Sequence, residues 1–264
     1  MSTAIERLLA TAKAEEGYLE KETNSNLDNP TANAGDNNWN KYARDLDALG
    51  VYNGKKNGYH WCDIFVDWCF IHTFGLEVAM KLTRQPMGGY GAGCTYSARY
   101  YKDHGQFHKS GPKPGDQIFF TNDGGKTMAH TGIVVSVANG RVYTVEGNTS
   151  SAAGMVANGG CVRAKSYALT YNRIGGYGRP DYSIVEEEEE MTQQDWDKMM
   201  ENWLSRRADL PPSNWSEADR VWAEESGIIA GDTSGRKQYM VFPTREQIMV
   251  FLHRFYELMT QHGH

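Results

Sequence analysis

The chain has 264 residues, a formal net charge of -6 and a sequence pI near 5.8, enough length for one large domain or a medium domain plus a small one. The acidic balance argues against nucleic acid as a partner, and no stretch approaches the roughly 20 apolar residues of a membrane span. Met1 to Ala10 lacks the basic start and apolar run of a secretory signal, so the expectation is synthesis in a reducing cytoplasm with no membrane partner.

Ser2 to Glu16 carries Ile5, Leu8, Leu9 and Ala12 at helical spacing, with Gly17 as a stop. Thr23 to Asn40, rich in Asn, Asp and Gly, reads as a long irregular loop, and Tyr42 to Leu49 resumes a helix. Trp61 to Phe74 is predicted as a helix with one apolar face through Phe65, Val66, Cys69 and Phe70, closed by Gly75. From Pro114 the texture changes to short β-branched or aromatic runs, Gln117 to Phe120, Thr131 to Val137 and Arg141 to Glu146. Helices followed by strands imply an α+β domain.

The run Glu186 to Glu190 is self-repelling and has no apolar anchor, so it reads as a solvated linker. It sets an expected division into a domain over residues 1–182, a linker over 183–191 and a small all-α domain over 192–264. In the last, Trp196, Met199, Met200, Trp203 and Leu204 form a stripe ended by Pro211 and Pro212. A second helix is expected from Ser216 to Ser226. A third opens with the capping-box spacing Thr244 to Gln247 and carries Ile248, Phe251, Leu252 and Phe255 inward.

Cys62, Cys69, Cys94 and Cys161 have neither the spacing of a zinc knuckle nor that of a disulfide frame. Cys62 falls in the first turn of its helix, where unpaired N–H groups and the positive dipole end favour a thiolate. Cys69 lies two turns on, among apolar side chains, as an inert thiol. The matching base must be a histidine. Of the eight histidines only His130 opens a strong strand pattern, a rigid platform for an imidazole. The next strand ends in Glu146-Gly147-Asn148, two polar candidates to hold that imidazole. They share the face of His130 if Ala138-Asn139-Gly140 is a three-residue loop pairing Val137 with Arg141 and His130 with Asn148. A two-residue Asn139-Gly140 turn would shift the register by one and send Glu146 to the far face. The chemistry prefers the longer loop.

The blocks Trp61-Cys62-Asp63-Ile64-Phe65-Val66, Pro114 to Phe120, Ala129-His130-Thr131-Gly132-Ile133-Val134 and Val145-Glu146-Gly147-Asn148 resemble, in that order, those of a CHAP domain. This is a family of cysteine, histidine-dependent amidohydrolases and peptidases related to papain and found in phage endolysins and bacterial autolysins. The likeness spans roughly Thr3 to Tyr182. It implies a papain-like α+β core with Cys62 as nucleophile, His130 as base, and Glu146 and Asn148 as orienting groups. It also implies an oxyanion hole from the Cys62 N–H plus an upstream side chain, with Asn57, Tyr59 and His60 in reach and Tyr59 favoured.

The function so implied is that of an endolysin cleaving a peptidoglycan amide through a thioester, as N-acetylmuramoyl-L-alanine amidase or endopeptidase, at the wall after release from the cytoplasm. A non-catalytic wall-binding module and a cytosolic thiol protease are the alternatives. No cofactor is required. Some relatives bind calcium before the nucleophile, and Asp28, Asp36, Asp45 and Asp47 lie there without the alternating loop that calcium favours. Ser216 to Tyr256 resembles one S-layer-homology repeat, through Trp222-Ala223, Gly227 to Asp232 and Phe242 to Gln247. That resemblance implies a secondary cell-wall polymer as partner. A homo-oligomer joined through Trp196, Met199, Met200 and Trp203 is the rival, because a lone helical unit buries little.

Overall fold

A computed structural model describes residues 3–186, 193–232 and 234–261, and the chain divides into two compact units, Met1–Glu188 and Glu189–His264. The acidic run expected as a linker lies outside the described residues beyond Glu186. Ser183–Glu186 itself is a short helix, α6. Among the described residues no helix is long and apolar enough to cross a membrane.

The first unit opens with α1 (Ala4–Ala14), where Thr3 and Glu6 close a reciprocal capping box and Leu8 and Ala12 face the core. The loop that follows leads to α2 (Lys41–Leu49), whose N-cap Asn40 accepts from the Ala43 N–H at 2.8 Å. Next come α3 (Cys62–Phe74), α4 (Leu76–Thr83) and α5 (Cys94–Asp103), the last two not anticipated from the sequence. The strands are β1 (Phe107–His108), β2 (Gln117–Phe120), β3 (His130–Ala138), β4 (Arg141–Thr149), β5 (Cys161–Ala168) and β6 (Ile174–Gly178). They form one antiparallel sheet in the order β1-β6-β2-β3-β4-β5. This is the α+β arrangement of a papain-like core.

Helix α3 packs against β3 and β4 and differs from the one-faced helix expected. Cys62 through Ile71 are all buried, because α1, α2, α4 and the sheet surround it. An all-round buried helix needs no polar face, yet this one carries Asp63 and Asp67 at zero exposure.

The β3–β4 hairpin corrects the expected turn and keeps its consequence. The turn has two residues, Asn139 (φ 51°) and Gly140 (φ 71°), with Ala138 opposite Arg141. That tight form suits the strand twist better than a longer loop. One extra residue, Val135, then bulges between Val134 and Ser136, so Val134 faces Thr144 and Ile133 faces Val145. The bulge restores the register that the shorter turn removes. Gly132 therefore lies beside Glu146, where an added Cβ would meet Glu146 Cγ at 2.5 Å.

The second unit contains α7 (Gln193–Ala208), α8 (Glu217–Glu225) and α9 (Arg245–Gln261). Thr244 and Gln247 form the expected capping pair, with bonds of 2.8 and 3.2 Å. The inward stripe expected on α9 does not close, with Phe251 alone of its four residues half-buried, while on α7 Met200, Trp203 and Leu204 are half-buried. Trp196, Met199, Ile248, Leu252 and Phe255 are exposed, and only Ala223 and Ile228 of this unit are buried among the described residues. Three helices among the described residues enclose too little volume to cover all their apolar faces.

Candidate active site

The site begins with the anchoring of Trp61, the residue before α3. Its ring stacks on Tyr42 with centroids 5.5 Å apart, and its Nε1–H donates to buried Glu20 at 2.8 Å. Burial pushes the Glu20 carboxyl above its usual range, against the bond from Trp61. With Trp61 fixed, Cys62 becomes the first helical residue, at the positive end of α3 and 5% exposed.

Three groups draw the Cys62 thiol well below its ordinary pKa. A hydrogen bond from the Cys94 thiol, with the sulfurs 3.5 Å apart, has the largest effect. His130 and the Asp63 backbone N–H act in the same direction, together outweighing the penalty of burial. In return the Cys94 thiol, bonded to Cys62 and buried, is pushed well up.

His130 stands at the start of β3 with zero exposure. Its Nε2–H donates to Glu146 Oε2 at 3.0 Å, while Nδ1 has no hydrogen-bond partner among the described residues. Burial of the ring favours the neutral form. The interactions with Cys62 and then Glu146 prevail and raise the pKa to about 9. Thiol and imidazole each hold the other in its charged form, the arrangement of a thiolate–imidazolium pair.

Glu146 is oriented in turn. Thr144 Oγ1 donates to its Oε1 at 2.6 Å, and the Tyr167 hydroxyl donates to Oε2 at 3.1 Å. Phe120 packs between His130 and Tyr167, with ring centroids 5.9 and 4.7 Å away. Asn148 is buried in the left-handed conformation (φ 53°), and neither atom of its amide has a hydrogen-bond partner among the described residues. The structure thus brings Cys62, His130 and Glu146 together and bonds the imidazole to Glu146 rather than to Asn148. Tyr59 is 65% exposed, and its hydroxyl has no hydrogen bond among the described residues. The Asn57 side chain is engaged, accepting from the Asn40 N–H at 3.0 Å.

Sequence reasoning missed the framework that joins nucleophile and base. Asp63 accepts from Ser97 Oγ of α5 at 2.6 Å and from Gln117 Nε2 of β2 at 2.8 Å. Gln117 Nε2 also reaches Thr131 Oγ1, next to His130, at 3.1 Å. Burial drives the Asp63 carboxyl well above its usual pKa, and neighbouring Asp67 adds to the shift. The signal was a pair of carboxylates inside an apolar helix, which is costly unless hydrogen-bonded. Cys94 was also missed as a site residue. The run Gly91-Ala92-Gly93 before it marks a second cysteine at a helix start.

The carboxylates considered for calcium do not converge. Asp28 takes both guanidinium nitrogens of Arg44 at 2.7 and 2.8 Å, Asp45 accepts from Arg44 and Trp68, and Asp47 accepts from the N–H groups of Lys56 and Asn57. Asp36 is exposed. No group of three or more His, Cys, Asp or Glu side chains among the described residues is placed to hold a metal ion. These residues do not fit a calcium site of oxygen ligands.

Comparison with protein families matches this region. A CHAP domain is found at residues 54–148. The match is shorter than the likeness read from the sequence, yet it contains Cys62, Cys94, His130, Glu146 and Asn148. The CHAP domain points to a hydrolase of the amidase or peptidase kind, with peptidoglycan as its substrate. No curated protein matches the chain.

Proposed function

We propose that the chain is a peptidoglycan hydrolase in which Cys62 attacks a wall amide, with His130 as acid and base and Glu146 as orienter. The observation that carries this reading is the His130 Nε2 to Glu146 bond of 3.0 Å, which leaves Nδ1 for the thiol. The Cys62 thiolate adds to the amide carbonyl. As the tetrahedral oxyanion collapses, imidazolium Nδ1 returns its proton to the leaving amine and a thioester remains. His130, now neutral, takes a proton from water as it attacks the thioester. Release of the acid restores the thiolate–imidazolium pair. The unpaired N–H groups at the start of α3 support an oxyanion site beside Cys62, with Tyr59 as the proposed side-chain donor.

Digestion of purified peptidoglycan, with new termini assigned by mass spectrometry, tests this reading. Free L-alanine amino termini mark an N-acetylmuramoyl-L-alanine amidase, and new termini within the stem or cross-bridge mark an endopeptidase. Binding without new termini supports the wall-binding alternative, and cleavage of proteins alone supports a thiol protease.

Within this reading the proposed role is that of an endolysin released from the host cytoplasm, on the family resemblance. Cells making the protein internally should then grow until their membrane is permeabilised, and lysis without permeabilisation would refute the role. For the C-terminal unit, the S-layer-homology resemblance supports attachment to a secondary wall polymer. The exposed Trp196, Met199 and Leu252 favour self-association as the second reading. Sedimentation of the full chain, alone and with isolated wall polymer, separates the two.

A further inference from the structure

The proposed hydrolysis gives Cys94 no chemical step. It is the first residue of α5, and its Sγ lies at hydrogen-bond distance, 3.5 Å, from that of Cys62 with no disulfide between them. A disulfide is about 2.05 Å long, so closure needs the sulfurs to approach by about 1.5 Å. Both residues are buried, at 5% and 7% exposure, so the oxidant that reaches them must be as small as a peroxide.

The other two cysteines are placed differently. Cys69 is fully buried in the main core. Cys161 donates its thiol to the Thr149 carbonyl at 2.8 Å. Neither has a disulfide or a hydrogen bond to another sulfur among the described residues.

We propose that Cys62 and Cys94 form an oxidative modification site, in which a peroxide closes a thiol-reversible disulfide that removes the candidate nucleophile from service. The Cys62 thiolate attacks one peroxide oxygen and the O–O bond breaks, giving a sulfenic acid and hydroxide, which takes a proton from nearby His130 or from solvent. The Cys94 thiol then attacks the sulfenic sulfur. The S–S bond forms, the S–O bond breaks, and the Cys94 proton leaves with the hydroxyl as water. Two equivalents of an external thiol reverse the bond by exchange. The depressed pKa of Cys62 suits it to the first step. Cys94 as resolving partner keeps Cys62 from the irreversible sulfinic acid. The disulfide does not depend on the hydrolase reading; its effect on wall lysis does.

The test treats the full chain with hydrogen peroxide, blocks free thiols and digests with trypsin, which separates Cys62 (peptide 57–81) from Cys94 (peptide 85–99). The expected result is a cross-linked pair assigned by fragmentation to Cys62 and Cys94, with wall clearing lost and then regained on adding dithiothreitol. Cys94→Ser should give no such pair, and Cys62 should proceed to a sulfinic acid whose loss of clearing dithiothreitol does not reverse. Sulfinic acid at Cys62 of the unaltered chain without the cross-link would overturn the proposal, as would a cross-link to Cys69 or Cys161 instead. The expected cross-link with clearing intact would uphold the disulfide and overturn Cys62 as nucleophile.

Discussion

Glu146→Gln isolates the charge on the carboxylate that holds His130. Gln has the same shape. With its amide oxygen toward His130 and Tyr167 and its amide nitrogen toward Thr144 Oγ1, every bond position at residue 146 stays filled. What disappears is the negative charge 3.0 Å from the imidazole. Coulomb's law with an effective dielectric near 20 gives about 5.5 kcal/mol for unit charges at that distance, a ceiling that desolvation of both ions erodes. A hydrogen bond to a charged group contributes about 1.5–3 kcal/mol net. At about 1.36 kcal/mol per factor of ten, turnover should fall roughly 10- to 150-fold.

The pH profile carries a second signature. The Glu146 charge helps raise His130 to about 9, so losing it must lower that pKa. The alkaline limb of the activity profile then moves toward neutral pH. Clearing of a peptidoglycan suspension from about pH 5 to about pH 10 reads both effects. A Glu146→Gln protein with unaltered turnover and an unmoved alkaline limb would refute the orienting role.

Three further outcomes follow from the same contacts. Burial raises Asp67 from 3.8 to about 7, so the folded chain binds more protons than the unfolded one between those values, and this group's stability contribution falls as pH rises, levelling off above about 7. Asp67→Asn, with Gln85 turning its amide to match, should remove that trend; equal pH slopes of melting temperature in the two proteins would refute it. Gly132→Ala would set a Cβ 2.5 Å from Glu146 Cγ and 2.9 Å from the Val145 carbonyl; it should destabilise by about 1–3 kcal/mol in denaturant titration and slow clearing, and near-native values of both would contradict the β3–β4 register. A chain ending at Glu188, the limit of the first compact unit, should fold and clear walls, with cell binding or assembly altered; an insoluble product would show that the two parts share a core.

How far the sequence could be read depended on whether the decisive signal was local. Helix α1 declared itself through the apolar spacing of Ile5, Leu8, Leu9 and Ala12, and β2 through the apolar run Ile118, Phe119 and Phe120. Cys62 and His130 were legible because a helix start and a strand start are local features. The hairpin was only half legible. Asn139-Gly140 is a strong two-residue turn signal, but the bulge at Val135 leaves no composition mark, since a β-branched residue suits a regular strand equally well. Asp63 and Gln117 are 54 positions apart in the chain, and their pairing follows only from the packing of α3 on the sheet. In the C-terminal unit the periodicity found the helices. It could not show that Trp196, Ile248 and Leu252 stay exposed, because that depends on how the helices pack on one another.

The central claim, that the Cys62 thiolate is the nucleophile, is tested most directly by Cys62→Ala assayed on purified peptidoglycan beside Cys69→Ala. The first should leave the fold intact by circular dichroism and release no new termini. The second, a small cavity in a buried core, should cost about 1 kcal/mol in stability and keep its activity. Release of the same fragments by Cys62→Ala at a near-normal rate would contradict the account.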